Sequence, residues 1–219
     1  MPGIVDIASL GVAPERAKVL CIFVHGRNQS PEEMEAAVIR RLSTPDVAFA
    51  LPRADEKTWY QARAVDPRTS LANAELARSL DGLAGLVRRL RASAPGVPLL
   101  LGGFSQGACL SLEHAFTGQD SPDAVVALTG CRVGVPGDAR PASLGEGLPV
   151  YLTGGRADPW IPLEALAETA VELGRGGARL RVDVFPDRGH EVAPAEIAMF
   201  DRMLADLAAG RLPAMEAPR

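Results

Sequence analysis

The chain has 219 residues, 47% of them hydrophobic and 23% charged, with a net charge of -4 and a pI near 5.5. That length and apolar content suit one globular α/β domain over residues 1–219, with about 211–219 as a frayed tail, rather than two independent domains. The basic residues are scattered, which argues against a nucleic-acid partner, and no apolar run reaches the roughly 18 residues of a membrane helix.

The opening "MPGIVDIASLG" has neither the basic flank nor the long apolar stretch of a leader, so a cytoplasmic location is expected. Residues 18–24, "KVLCIFV", read as a buried strand. Ser30 then offers an N-cap, Pro31 fits the first helical position and Glu33 completes a capping box, predicting a helix through about Leu42. A second strand is expected over 47–51, followed by a long polar stretch from Pro52 to Ser70 and an amphipathic helix from Leu71 to Arg91, weakened locally by Gly82 and Gly85. Further strands are expected at 98–104, 124–129, 149–154 and 179–185, with helices near 106–116, 162–174 and 194–209. Strand and helix alternate, which implies a mostly parallel central sheet with helices on both faces. The loops beginning at His25, Pro52, Ser105, Gly130, Gly155 and Pro186 should then share one rim beyond the carboxyl ends of the strands.

On that rim, Gly103-Phe104-Ser105-Gln106-Gly107 matches G-x-S-x-G between a strand and a helix. Flanking glycines let neighbouring backbone approach a sharp turn, and the serine hydroxyl then stands at a helix N-terminus. A serine needs a base, and the chain has three histidines. His25 ends the first strong strand and suits bracing a loop, and His114 lies inside the helix that follows Ser105. His190, in "FPDRGHEVAP", combines a flexible approach with the right rim. The acid that would orient it is Asp158 in "TGGRADPWIP", since Asp187 stands too close in sequence and Asp183 falls within a strand. The order Ser105, Asp158, His190 is that of α/β-hydrolase sheets. Oxyanion donors are expected from the main-chain N–H groups of Gln106 and Arg27, with Gly26 allowing close approach.

Together "FVHGRNQSPEEM", "LPRADEKTWYQ", "LLLGGFSQGACLSL", "ALTGC", "YLTGGRADPWIP" and "FPDRGHEV" make the chain resemble the phospholipase/carboxylesterase family of α/β hydrolases, which includes acyl-protein thioesterases. The resemblance runs from residue 19 to 208. It implies the α/β-hydrolase fold without a large cap domain, and a serine hydrolase of carboxylic esters or thioesters that uses no cofactor and no metal. It places the nucleophile, acid and base on Ser105, Asp158 and His190 and the oxyanion amides on Arg27 and Gln106. The chain departs from the family pattern at Arg27, where a small or aliphatic residue is common, at Asn28, where glycine is common, and at Gln61, where proline often follows the Trp59-Tyr60 pair.

Trp59, Tyr60 and Trp160 fall on rim loops and are expected as walls for an apolar substrate group, against the alternative of core packing for the tryptophans. Cys21 and Cys109 are expected in the core, and all three cysteines, with Cys131, as reduced thiols without metal-like spacing. The expected partner is a small-molecule ester of short to medium acyl chain, and the sequence leaves a homodimer open. An acyl-thioesterase or lysophospholipase would use the same triad. A silent binding module would have no need of all three groups.

Overall fold

The computed structural model describes residues 3–216. Seven strands form one sheet: β1 (Ile4–Gly11), β2 (Val19–Val24), β3 (Val47–Ala54), β4 (Leu99–Phe104), β5 (Ala124–Leu128), β6 (Pro149–Gly155) and β7 (Arg179–Phe185), in the spatial order β1-β3-β2-β4-β5-β6-β7. All pairings are parallel except β1 with β3, which is antiparallel.

Five helices cover the faces: α1 (Pro31–Ala37), α2 (Ser70–Ser93), α3 (Gln106–Ala115), α4 (Leu163–Arg175) and α5 (Pro194–Ala208). The strands between the sheet edges are apolar without alternation because they are covered on both sides. In β2, Leu20, Ile22 and Val24 pack with Leu76, Leu83 and Leu86 of α2, while Val19, Cys21 and Phe23 pack with Met34 of α1 and Phe200 and Met203 of α5. α3 and α4 pack together with Val125, Ala127, Val150 and Leu152. The segment between β5 and β6 contains no helix, so no cap domain stands over the sheet.

Three local expectations change. β1 is an added strand that the sequence reading did not mark. It is a half-exposed edge strand, so its apolar signal is weak, and its position comes from the open edge of β3. β3 continues past Leu51 to Ala54, taking Pro52 into the sheet where the pairing with β2 has already ended at Ala50. α1 starts as expected, with Ser30 Oγ accepting from Glu33 N–H at 3.3 Å, but ends at Ala37. Val38 leaves helical geometry (φ -126°), and Val38 and Ile39 both enter the core. In the expected tail, Arg211 N–H and Ala214 N–H bond to Asp206 at 2.9 and 3.0 Å and Met215 packs on the core, while Leu212 is exposed. The remainder of that expected tail, 217–219, lies outside the described residues, as do the first two residues of the opening segment. Among the described residues no helix is long and apolar enough to cross a membrane.

The register brings the rim together. Val24 lies opposite Gly103, so the loop from His25 and the turn at Ser105 begin side by side. Gly155 lies opposite Phe185, which does the same for the loops carrying Asp158 and His190.

Candidate active site

Ser105 occupies the turn between β4 and α3 with φ 55° and ψ -120°, a left-handed conformation that costs a non-glycine residue of order 1–3 kcal/mol. Its N–H is tied to Leu128 O at 3.0 Å and its carbonyl accepts from Cys109 N–H at 3.0 Å, so sheet and helix together hold the strained backbone. The glycines of the motif are there for space. A Cβ on Gly103 would strike the Gly107 backbone, and one on Gly107 would strike the Val24 carbonyl.

The hydroxyl of Ser105 lies 2.8 Å from His190 Nε2, and His190 Nδ1 lies 2.8 Å from Asp158 Oδ2. Asp158 Oδ1 accepts from the N–H groups of Trp160 and Ile161 at 2.8 and 3.0 Å. Burial of Asp158 pushes its pKa up. The bonds from His190 and the two amides outweigh that and hold the carboxyl below its usual value. It therefore stays an acceptor, which fixes His190 with Nδ1 carrying the proton and Nε2 free to receive one. Phe104 packs against the imidazole at 5.0 Å between ring centroids.

Gln106 is the first residue of α3, and its N–H has no partner among the described residues, nor does that of Arg27. The side chains of both reach into the segment after β3. Gln106 Nε2 donates to Tyr60 O at 2.7 Å, and its Oε1 accepts from Trp59 N–H at 3.0 Å. The Arg27 guanidinium donates to Gln61 O at 2.8 Å, to Tyr60 O at 3.1 Å and to Ala62 O. The arginine that departs from the family pattern is thus a clamp on the neighbouring loop.

The other histidines have structural surroundings. His25 is buried, its Nδ1–H donating to Gly26 O at 2.7 Å and its Nε2 accepting from Ala54 N–H at 3.0 Å. Burial pushes its pKa below the ordinary histidine range, so it is neutral and braces the loop. His114 is buried in the last turn of α3, also pushed down by burial, with Nε2 unpartnered.

A cleft of about 290 Å³ opens over Ser105 and His190. Tyr60 and Trp160 line it, with Tyr60 buried and Trp160 59% exposed. Trp59 does not. It lies in the core, only 1% exposed, with its indole N–H on His25 O at 2.9 Å and its ring against the His25 imidazole. An aromatic with one polar atom satisfies it best inside, on the free carbonyl that ends β2. Besides Asn28, Gln29 and Cys109, the walls include Phe104, Ile161, Ala64 and Arg63. None of the last three was singled out from sequence, because a residue flanking a rim loop carries no sign of which way it faces.

A second arrangement was missed. Arg188, two residues before His190, is buried and pairs with the fully buried Glu196 of α5. It also bonds Glu191 O at 2.5 Å and Thr129 Oγ1 at 2.9 Å. Glu196 accepts from Thr153 Oγ1 and, at 2.5 Å, from Ala193 N–H. Ala157 N–H donates to Arg188 O at 3.3 Å, joining the loop of Asp158 to that of His190. The signal in the sequence was a glutamate three residues past Ala193, the N-cap of α5, which reads as a simple capping residue.

A family model described as phospholipase/carboxylesterase matches residues 10–207. Among solved structures, a phospholipase/carboxylesterase from Dyadobacter fermentans is 25% identical, with a TM-score of 0.78 over 90% of this chain and 95% of that one. Esterase PE8 is 22% identical, with a TM-score of 0.76 over 91% and 97% of the two chains. Acyl-protein thioesterase 2 of Zea mays is 19% identical, with a TM-score of 0.73 over 93% and 99%. The last two share the fold.

Proposed function

Since the chain belongs to the phospholipase/carboxylesterase family and is an ester hydrolase, we propose that Ser105, His190 and Asp158 hydrolyse carboxylic esters of short to medium acyl chain through an acyl-enzyme. The observation that carries this reading is the continuous relay of 2.8 Å contacts from Ser105 Oγ through His190 to Asp158.

In this mechanism His190 Nε2 takes the Ser105 proton as Oγ attacks the ester carbonyl. The carbonyl oxygen becomes an oxyanion and is met by the N–H groups of Gln106 and Arg27, the former backed by the positive end of α3. Asp158 Oδ2 holds the Nδ1–H and balances the imidazolium. His190 then protonates the departing alcohol. Water, deprotonated by the same nitrogen, attacks the acyl-enzyme and releases the acid and free Ser105. No metal or cofactor is assigned to any step. Tyr60 and Trp160 act as apolar walls, and Trp59 supports the oxyanion loop from the core.

A cleft of about 290 Å³, near the lower bound of roughly 300 Å³ for small-molecule pockets, favours short and medium acyl groups. The absence of a helix between β5 and β6 favours activity without interfacial activation. Labelling with a fluorophosphonate tests the activated serine: wild type should label and Ser105→Ala should not. The chain-length reading is tested with 4-nitrophenyl esters from acetate to palmitate, alongside acyl-thioesters and lysolipids. The rate kcat/KM should peak among the shorter esters. A climb to palmitate, or a jump at the micellar threshold, would overturn the chain-length reading.

A further inference from the structure

We propose that Arg63 forms an anion-recognising subsite in this cleft, so that the preferred ester carries a carboxylate of its own. The inference rests on the ester-hydrolase reading and names its substrate class.

Two arginines, Arg27 and Arg63, line the cleft, and among the described residues no aspartate or glutamate does. This is a positive site on a chain of net charge -4. The Arg27 guanidinium is held by carbonyl oxygens and has no carboxylate partner among the described residues. The Arg63 guanidinium makes neither a hydrogen bond nor an ion pair among the described residues, although its backbone is firmly mounted. Arg63 N–H donates to Asp66 Oδ2 at 3.0 Å, and Asp66 N–H returns a bond to Arg63 O at 3.2 Å. On one side, Arg27 grips the carbonyls of residues 60–62. On the other, Ala64 O accepts from Gly134 N–H at 2.7 Å.

The nearest carboxylate in sequence, Asp66, turns its Oδ2 to the Arg63 backbone rather than to the guanidinium. A fixed loop presents an unpaired cation to a cleft that also carries the polar side chains of Asn28 and Gln29 beside its apolar walls. Such a group attracts an anion from solution, and its planar fork suits a carboxylate. Arg27 adds to the same field, with three of its five N–H donors already committed to the loop carbonyls.

The test compares matched pairs under one set of conditions, with kcat/KM corrected for each ester's intrinsic hydroxide reactivity. For an anion on the acyl side, the pair is 4-nitrophenyl hemiglutarate and 4-nitrophenyl butyrate. For one on the alcohol side, it is the butyrate ester of 4-hydroxybenzoate and that of its methyl ester. In at least one pair the anionic member should be favoured by about fivefold, the upper range for an exposed ion pair. Which pair responds identifies the side that carries the charge. The preference should shrink as salt is raised. Arg63→Gln should remove the ratio and Arg63→Lys should keep part of it.

Equal corrected rates within both pairs, or a preference that survives Arg63→Gln, would overturn the proposal while leaving ester hydrolysis standing. If wild type hydrolysed neither member of any pair, the ester-hydrolase reading itself would fall, and this one with it.

Discussion

The two walls of the cleft are held in different ways. The wall carrying Asp158 and His190 is fixed from beneath, by the buried pair Arg188–Glu196 and the threonines around it. The opposite wall, residues 58–62, is fixed from across the cleft by neutral acceptors: its carbonyls take bonds from Arg27 and Gln106. Those are the two residues whose main-chain N–H groups are the proposed oxyanion donors. A relay that must hold three side chains in line gains from a desolvated charge pair, which is rigid because breaking it strands a charge. Donors on the backbone need only their loop kept in place, and dipoles suffice for that.

The largest expected effect tests whether both walls serve one reaction. Ser105→Ala and His190→Ala should each lower kcat by at least roughly 10³-fold, and the double variant should be hardly worse, because relay members act as a unit. Most activity surviving in either single variant would detach the relay from catalysis. Asp158→Asn should also lower kcat strongly by favouring the wrong imidazole tautomer. Asp187→Asn should not.

Breaking the buried anchor comes next. Glu196→Ala strands Arg188 and should cost about 3–5 kcal/mol of stability, read by denaturant unfolding. Replacing the pair together, Arg188→Met with Glu196→Leu, should recover most of that stability. If the pair positions His190, kcat should stay low in this refolded double variant. Full recovery of kcat would leave the pair a merely structural role.

The opposite wall should respond more gently. Arg27→Ala removes the clamp but keeps the main-chain N–H. We expect kcat/KM to fall about tenfold as the loop shifts, well short of the 10²-fold that a misplacement of 1 Å can cost. The change in unfolding free energy should stay below that of Glu196→Ala. The reverse order would invalidate the contrast between the walls.

The smallest effect is a difference in acid response. His25, which braces the loop that carries Arg27, has a pKa lowered by burial. The unfolded chain therefore takes up its proton first, and this residue's contribution is complete above about pH 6.5 and is lost as pH falls towards the folded value. His114 acts with the same sign. The Asp158 carboxyl is also lowered, but from a carboxylate's starting point, so its contribution survives until pH falls below about 3.9. Amide exchange corrected for intrinsic rates should show Ala54 and Trp59 loosening between pH 7.5 and 5.5 while Trp160 and Ile161 stay protected. Equal loosening of both would remove the distinction.

The interior strands were legible because burial on both faces leaves uninterrupted apolar runs such as "VLCIFV" and "AVVAL". β1 was not, since an edge strand carries only half of that signal. The helix end near residue 42 was misplaced because Val38 and Ile39 suit a helix period as well as the core contacts that they make instead. Ser105, Asp158 and His190 could be named from chain order and rim position. Trp59 could not be placed, because the same residue type serves a wall or a core, and only the carbonyl of His25 decides between them.

The sequence by itself determined the order of strands and helices from β2 onward, the serine turn and the rim on which the candidate groups gather. These follow from local spacing: apolar runs, caps, and glycines that admit close backbone. Only the tertiary structure decided what each long polar side chain does once there. Arg27, Arg63 and Arg188 are chemically identical, yet one clamps carbonyls, one stands unpaired in the cleft and one is buried against Glu196. A guanidinium's role is set by the partners that reach it, and several of those partners lie 33 to 59 positions away, brought within reach only when the sheet and its loops assemble.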